Sequence, residues 1–202
     1  TFCFEYGVFY MQCFSIAPTE IVSGFLKNLG LLESLVRREV VGRYKGSTMG
    51  VLWTFLNPVF MLAIYTFVFS VVFKAKWVVG SDSKTEFALV LFAGLMVFNL
   101  FAECVVRAPS IVVSNPNYVK RVVFPLEILP FVTLGAALFH WAASFAVWLV
   151  FYFLFFGIPP ATSFLLPFVM FPLLMLALGV SWLLASLGVF LRDMVQVTNL
   201  LT

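Results

Sequence analysis

The stretch that decides the fold is VGRYKGSTMGVLWTFLNPVF, residues 41–60. Arg43 and Lys45, with Arg38 just upstream, end a basic run at Gly46, and no Asp, Glu, Lys, Arg or His follows before Lys74. A charged run that meets an apolar one is either a solvated loop leading into a core helix or the point where a chain enters a bilayer. Composition separates the two. Of 202 residues, 63 % are hydrophobic and 10 % charged, with 26 Phe, and the mean hydropathy is +1.09. Soluble chains carry about 25 % charged residues, and a fold of this size exposes too much surface to be covered by so few. The chain reads as an integral membrane protein.

Charge spacing agrees. Residues 46–73 form 28 positions without Asp, Glu, Lys, Arg or His, residues 87–102 another 16, and between Glu127 and Arg192 the only one of these residue types is His140. A helix needs roughly 20 apolar residues to cross about 30 Å of hydrocarbon, so four spans are predicted near residues 49–73, 87–106, 129–156 and 162–191. Backbone groups in lipid must be satisfied within the span, which favours helices. The alternating ten-residue segments of a barrel are not visible. The expected fold class is all-α and polytopic. Pro58, Pro167 and Pro172 fall inside these spans and predict local kinks.

Topology follows from Lys and Arg. One side of the membrane receives Lys27, Arg37, Arg38, Arg43, Lys45, Arg107, Lys120, Arg121 and Arg192, whereas the other receives Lys74, Lys76 and Lys84. That imbalance places the N-terminus and the 107–128 loop in the cytoplasm. The net charge of +3 is therefore a topology signal and not a sign of nucleic-acid binding. Cys3, Cys13 and Cys104 are odd in number and lack CxxC spacing, so no disulfide framework is expected. Residues 1–19 are apolar but lack a basic start and carry no assigned role. Residues 20–42 have apolar positions at three- and four-residue steps and read as an amphipathic helix. It lies either on the cytoplasmic membrane surface or against a soluble domain. Residues 43–202 form the transmembrane domain.

Few side chains suggest chemistry. His140, in LFHWAAS, has no acidic residue or second histidine near it in sequence, so packing or a polar contact to another helix is expected. Glu103 and Arg107 are spaced to pair along one helix face. There is no GxxxxGK[ST] loop, so nucleotide hydrolysis by this chain alone is not expected. Tyr65, Phe69, Phe73 and Trp77 line YTFVFSVVFKAKW (65–77), either as an interfacial aromatic belt or as a sugar-stacking surface. The 107–128 loop, RAPSIVVSNPNYVKRVVFPLEI, is too apolar for a free loop and too interrupted for a span. Its Asn115–Pro116–Asn117 turn signal suits a short surface helix that meets a peripheral partner.

Three separated stretches carry a resemblance. RYKGSTMGVLWTFLNPVFMLAIYTFVFSVVFK (43–74), LFAGLMVFNLFAECVVRAPSIVVSNPNYVKRVVFPLEILP (91–130) and SLGVFLRD (186–193) resemble the permease subunits of ABC-type polysaccharide exporters. The resemblance covers about residues 20–202. It implies a homodimer of six-span subunits in the cytoplasmic (inner) membrane. A separate cytoplasmic ATPase would hold ATP and Mg, with no cofactor on this chain, and a lipid-linked O-antigen, capsule or teichoic-acid chain would be the cargo among membrane lipids. By the same resemblance, Pro116, Asn117, Tyr118, Lys120 and Arg121 belong to the ATPase-coupling region. Arg37, Arg38, Arg43 and Lys45 lie at the cytoplasmic entrance, where planar guanidinium groups suit phosphate. Four of the six implied spans are present, and the fifth and sixth either follow residue 202 in a longer chain or are absent. Rival readings are an exporter of drugs or small lipids, a membrane enzyme acting on lipid-linked sugars, and a membrane scaffold.

Overall fold

The computed structural model of the chain describes residues 29–68, 84–115, 128–158, 161–191 and 193–202. The described residues are helical and turn segments without strands. They form α1 (Leu29–Arg43), α2 (Trp53–Phe67), α3 (Lys84–Ile111), α4 (Leu129–Phe156), α5 (Leu166–Val169), α6 (Phe171–Phe190) and α7 (Met194–Leu201). Four stretches are long and apolar enough to cross a bilayer: Gly50–Phe67, Phe87–Ile111, Leu129–Phe156 and Phe171–Phe190. The chain is a multi-pass, all-α membrane protein. Large apolar side chains on the outside of the bundle, such as Phe67, Leu154, Phe168 and Phe190, are what a lipid environment accommodates.

The stretch at residues 41–60 resolves into a hinge between α1 and α2. Successive turns close through Tyr44 N–H to Val41 C=O (3.1 Å) and Ser47 N–H to Tyr44 C=O (3.1 Å). Gly46, at φ +91°, supplies a backbone conformation that side chains with a Cβ rarely adopt. A 3-10 turn (Gly50–Leu52) then leads into α2. The sequence reads as a charge boundary because the chain ends one helix there and begins another.

The third span falls where the sequence places it, and the second runs further, to Ile111. The fourth departs from expectation. Residues 162–191 are not one helix but a 3-10 turn (Ala161–Leu165), α5 and α6 in succession. Pro167 and Pro172 each occupy one of the first two positions of a helix, where a missing amide donor has no intrahelical partner to lose. They start helices and do not kink one. Pro58 does lie inside α2 and is buried. Pro109, inside α3, is a proline whose importance only packing reveals.

Helix α3 is central, with α4 along one side and α6 along another. The main core joins Met96, Leu100 and Cys104 of α3 to Ala137 and Trp141 of α4 and Ala177 of α6. Cys104 is a buried free thiol there, while Cys3 and Cys13 lie outside the described residues. Apart from Leu178, the buried residues of α6 are small: Ala177, Ser181, Ala185 and Gly188. Small side chains let membrane helices approach closely enough for backbone contact. A second core gathers Leu62, Leu89, Phe92 and Trp148, where the Trp148 indole N–H donates to the Leu89 carbonyl (3.1 Å). Helix α1 docks on the start of α4 through Leu35, Ile128 and Val132, and Val36 packs directly over Gly135.

Candidate functional site: an ion-pair chain beside a polar cavity

Helix α1 carries Glu39 and Arg43 four residues apart, and α3 carries Glu103 and Arg107 with the same spacing. The spacing puts each pair on one face of its helix. The two faces meet with opposite polarity, so that Arg43 pairs with Glu103 and Arg107 pairs with Glu39. Within α3, Arg107 Nε is also 4.0 Å from Glu103 Oε1, so the intrahelical pairing read from sequence is present but secondary. His140 of α4 completes the chain. Its Nδ1 is 3.2 Å from both carboxylate oxygens of Glu103 and 2.9 Å from Arg43 Nη1.

This is the polar contact to another helix expected of His140, and the structure supplies its partners, Glu103 and Arg43. Its partners come from two other helices, 37 and 97 residues away in sequence, and sequence proximity does not reveal them. A single ring nitrogen faces both a donor and an acceptor. With its proton on Nδ1 the ring donates to Glu103; with Nδ1 bare it accepts from Arg43. Tyr44 stands edge-on to the same ring, with centroids 6.3 Å apart. Thus α1, the hinge, α3 and α4 all converge on one histidine.

Depth explains why these charges pair. Glu103 lies eight residues before the end of α3 and His140 eleven residues after the start of α4. At the rise of an α-helix these are about 12 and 16 Å. Charges at such depth in a membrane helix are stabilised by facing one another and the bundle interior. Side-chain exposure falls inward along the chain, from 40 % at Glu39 to 18 % at Glu103 and 15 % at His140.

Arg43, Glu103 and His140 themselves line a half-open cavity of about 320 Å³ that α2, α3 and α4 also border. Thr54 and Asn57 come from α2, Asn99 and Glu103 from α3, and Trp141 and Ser144 from α4. Sequence reasoning missed this group, because single Asn, Thr and Ser residues scattered through apolar spans carry no spacing signal. The signal available was the repeated Glu-x-x-x-Arg pattern, at 39–43 and 103–107, which predicts a crossed pairing once two helices are allowed to meet.

The remaining sequence candidates are dispersed. Arg37 and Lys45 are exposed and stand outside the ion-pair chain. Arg38 borders a small cavity with Glu39 and Asn115, near the junction of α1 with the end of α3. Pro116, Asn117, Tyr118, Lys120 and Arg121 lie outside the described residues, as do Phe69, Phe73 and Trp77. Tyr65 is half-buried and packs on the core around Trp148. That core belongs to an aromatic ladder along α4, in which Trp141, Phe145, Trp148, Tyr152 and Phe156 follow one another with centroids 5.1–5.9 Å apart.

Comparison with known proteins bears on the same residues. The family model described as ABC-2 type transporter matches residues 30–202. An O-antigen export system permease protein RfbA from Myxococcus xanthus is 32 % identical over 174 residues, covering 86 % of this chain and 64 % of the relative. One of the same name from Klebsiella pneumoniae is 26 % identical over 179 residues, covering 86 % of this chain and 66 % of the relative. The chain spans just under two thirds of the length of both. With a match from the first turn of α1 through α7 and a relative above 30 % identity, the chain belongs to the ABC-2 type transporter family.

Proposed function

We propose that the chain is the membrane-spanning part of an ATP-driven exporter that moves a lipid-linked polysaccharide across the cytoplasmic (inner) membrane. The observation that carries this reading is the likeness to O-antigen export permeases over 86 % of the chain. In this reading two copies of the permease form the path, and ATP with Mg is bound and hydrolysed on a separate cytoplasmic ATPase. The distribution of Lys and Arg along the sequence supports a cytoplasmic N-terminus. It also puts the 107–128 segment on the side from which the ATPase acts.

The geometry supports a route for coupling. The segment containing Lys120 and Arg121 joins the end of α3 to the start of α4, where Ile111 and Leu129 pack with Ala185 of α6. A push on that segment therefore reaches three spans at once. It also reaches α1, through Arg107 with Glu39 and Glu103 with Arg43. Arg43 is committed to Glu103 and His140 and serves here to hold α1 in place. The exposed Arg37 and Lys45 are better placed to meet a phosphate-bearing lipid head at the entrance.

The test is directional export of a fluorescent lipid-linked glycan by vesicles holding the full-length permease and its ATPase. Export is expected with the active ATPase and is expected to fall to background when the ATPase cannot hydrolyse ATP. Full export with the inactive ATPase would sink the proposal. Export of a short-chain phospholipid but no glycan would favour a small-lipid exporter.

A further inference from the structure

His140 stands between two partners that ask opposite things of one atom. Its Nδ1 is 3.2 Å from both oxygens of Glu103 and 2.9 Å from Arg43 Nη1, which also lies 3.5 Å from Nε2. A carboxylate only accepts and a guanidinium only donates. A proton on Nδ1 therefore suits Glu103 and opposes Arg43, and a bare Nδ1 does the reverse. No neutral form of the ring satisfies both contacts.

With Nδ1 bare, Arg43 bridges the other two groups, pairing with Glu103 and donating to the imidazole. One added proton changes the charge count. Imidazolium and guanidinium then compete for a single carboxylate and face each other as like charges, which repel, while the imidazolium–carboxylate contact gains from being charge-assisted. The neighbouring groups offer Arg43 no second anion. Glu39 is paired with Arg107, and Arg107 Nε is also 4.0 Å from Glu103. The hinge brings Tyr44 edge-on to the ring, α2 brings the uncharged Thr54 and Asn57, and Cys104 packs in the core. From Leu129 to Phe156, α4 holds no Asp, Glu, Lys or Arg.

Packing decides which cation yields. Helices α3 and α4 share the main core, which fixes Glu103 and His140 relative to each other. Helix α1 docks on the start of α4 through Leu35 and Val36, and its far end reaches the bundle through Arg43. The Arg43 side chain is also the most exposed of the three, at 27 % against 18 % for Glu103 and 15 % for His140. The half-open cavity that all three line gives the displaced guanidinium water to turn to.

We infer that His140 is a proton-operated release for α1. When the ring is neutral, Arg43 bonds both it and Glu103 and pins the end of the helix; when the ring is protonated, His140 takes Glu103 and Arg43 lets go. Histidine is the side chain that changes charge between pH 5 and 8, so acid loosens α1 and alkali restores it. The inference concerns this chain's own helices and holds whatever the cargo.

The experiment uses the full-length permease in lipid nanodiscs, with nitroxide labels on Lys45→Cys and Val113→Cys. Both positions are exposed, one just past the end of α1 and the other just past the end of α3. Serine replaces every other reactive cysteine, and the buried Cys104 is kept. Pulsed electron paramagnetic resonance reads the distance between the labels at pH 8 and pH 5. The parent is expected to show a second distance about tenfold more populated at pH 5 than at pH 8, and to lose it when the pH is returned. His140→Gln keeps an acceptor for Arg43 but takes up no proton, and is expected to show the pH 8 distance at both values. His140→Lys carries a fixed charge and is expected to show the pH 5 distance at both. Thermal unfolding checks each variant; His140→Asn stands in for a His140→Gln that does not fold, and without a folded His140→Lys the other two proteins decide. The inference is overturned if the parent's distances are the same at both pH values, if the neutral variant still changes with pH, or if folded His140→Lys keeps the pH 8 distance.

Discussion

Two sides of α3 are held by opposite means. Towards α6 the contact is steric: Gly188 lies so close to Pro109 that a Cβ there would sit 2.6 Å from the proline Cα. Towards α1 the contact is electrostatic, through Arg43 with Glu103 and Arg107 with Glu39. The first has one arrangement, since close-packed backbones do not deform continuously. The second joins long side chains that exchange partners without moving a helix. Within one helix, α3 is thus fixed to a rigid neighbour on one side and to an adjustable one on the other. A helix that must pass on a displacement needs both.

The largest effect is expected where the steric side is broken. In Gly188→Ala the new methyl meets Pro109 backbone and not the tip of a mobile side chain, so α3 and α6 must separate. Overpacking costs typically 1–3 kcal/mol, and a backbone obstacle puts this case near the upper end, at about 3 kcal/mol. Equilibrium unfolding in mixed detergent micelles reads it directly. A variant as stable as the parent would mean that the two backbones are not in contact.

The electrostatic side is expected to give a smaller loss with a different signature. Glu103→Ala leaves Arg43 and His140 facing one another without the carboxylate between them. Breaking a fully buried pair by removing one partner costs about 3–5 kcal/mol. Here Arg43 retains 27 % exposure and can turn to water, which reduces the figure to about 2 kcal/mol. The distinguishing measurement is a double-mutant cycle with Arg43→Gln. The two losses should be strongly non-additive, whereas Gly188→Ala should add to either of them. Additivity between Glu103→Ala and Arg43→Gln would remove the pair as a source of α1 docking.

What was legible in the sequence and what was not divides along the same line. Hydropathy and charge spacing located the spans because each is a local property of some 20 residues. The third span, residues 129–156, falls where its apolar run does. The division of residues 162–191 into separate helices was not legible, because a proline inside an apolar run marks a helix start as readily as a kink. The site was less legible still. Arg43 was singled out for its charge, but its partners Glu103 and His140 are 60 and 97 residues away. The Trp141 indole N–H and the Thr54 hydroxyl are buried without a hydrogen-bond partner among the described residues, a property that no sequence pattern encodes.

The outermost pair sharpens the comparison most finely. Glu39 and Arg107 form the same kind of contact as Arg43 and Glu103, but their side chains are 40 % and 31 % exposed. Solvent screening and the entropy of two long side chains reduce such pairs to about 0–1 kcal/mol. A cycle of Glu39→Gln and Arg107→Gln should therefore give a coupling of about 0.5 kcal/mol, diminishing at high salt as exposed pairs do. The inner cycle, with Glu103 only 18 % exposed, should change little with salt. Equal salt sensitivity of the two cycles would mean that depth along α3 does not grade the clamp. If the gradient holds, α1 is pinned at its inner end by Glu103 and free to shift at its outer end. Any displacement of α1 would then pivot about Arg43, beside Gly46 at φ +91°.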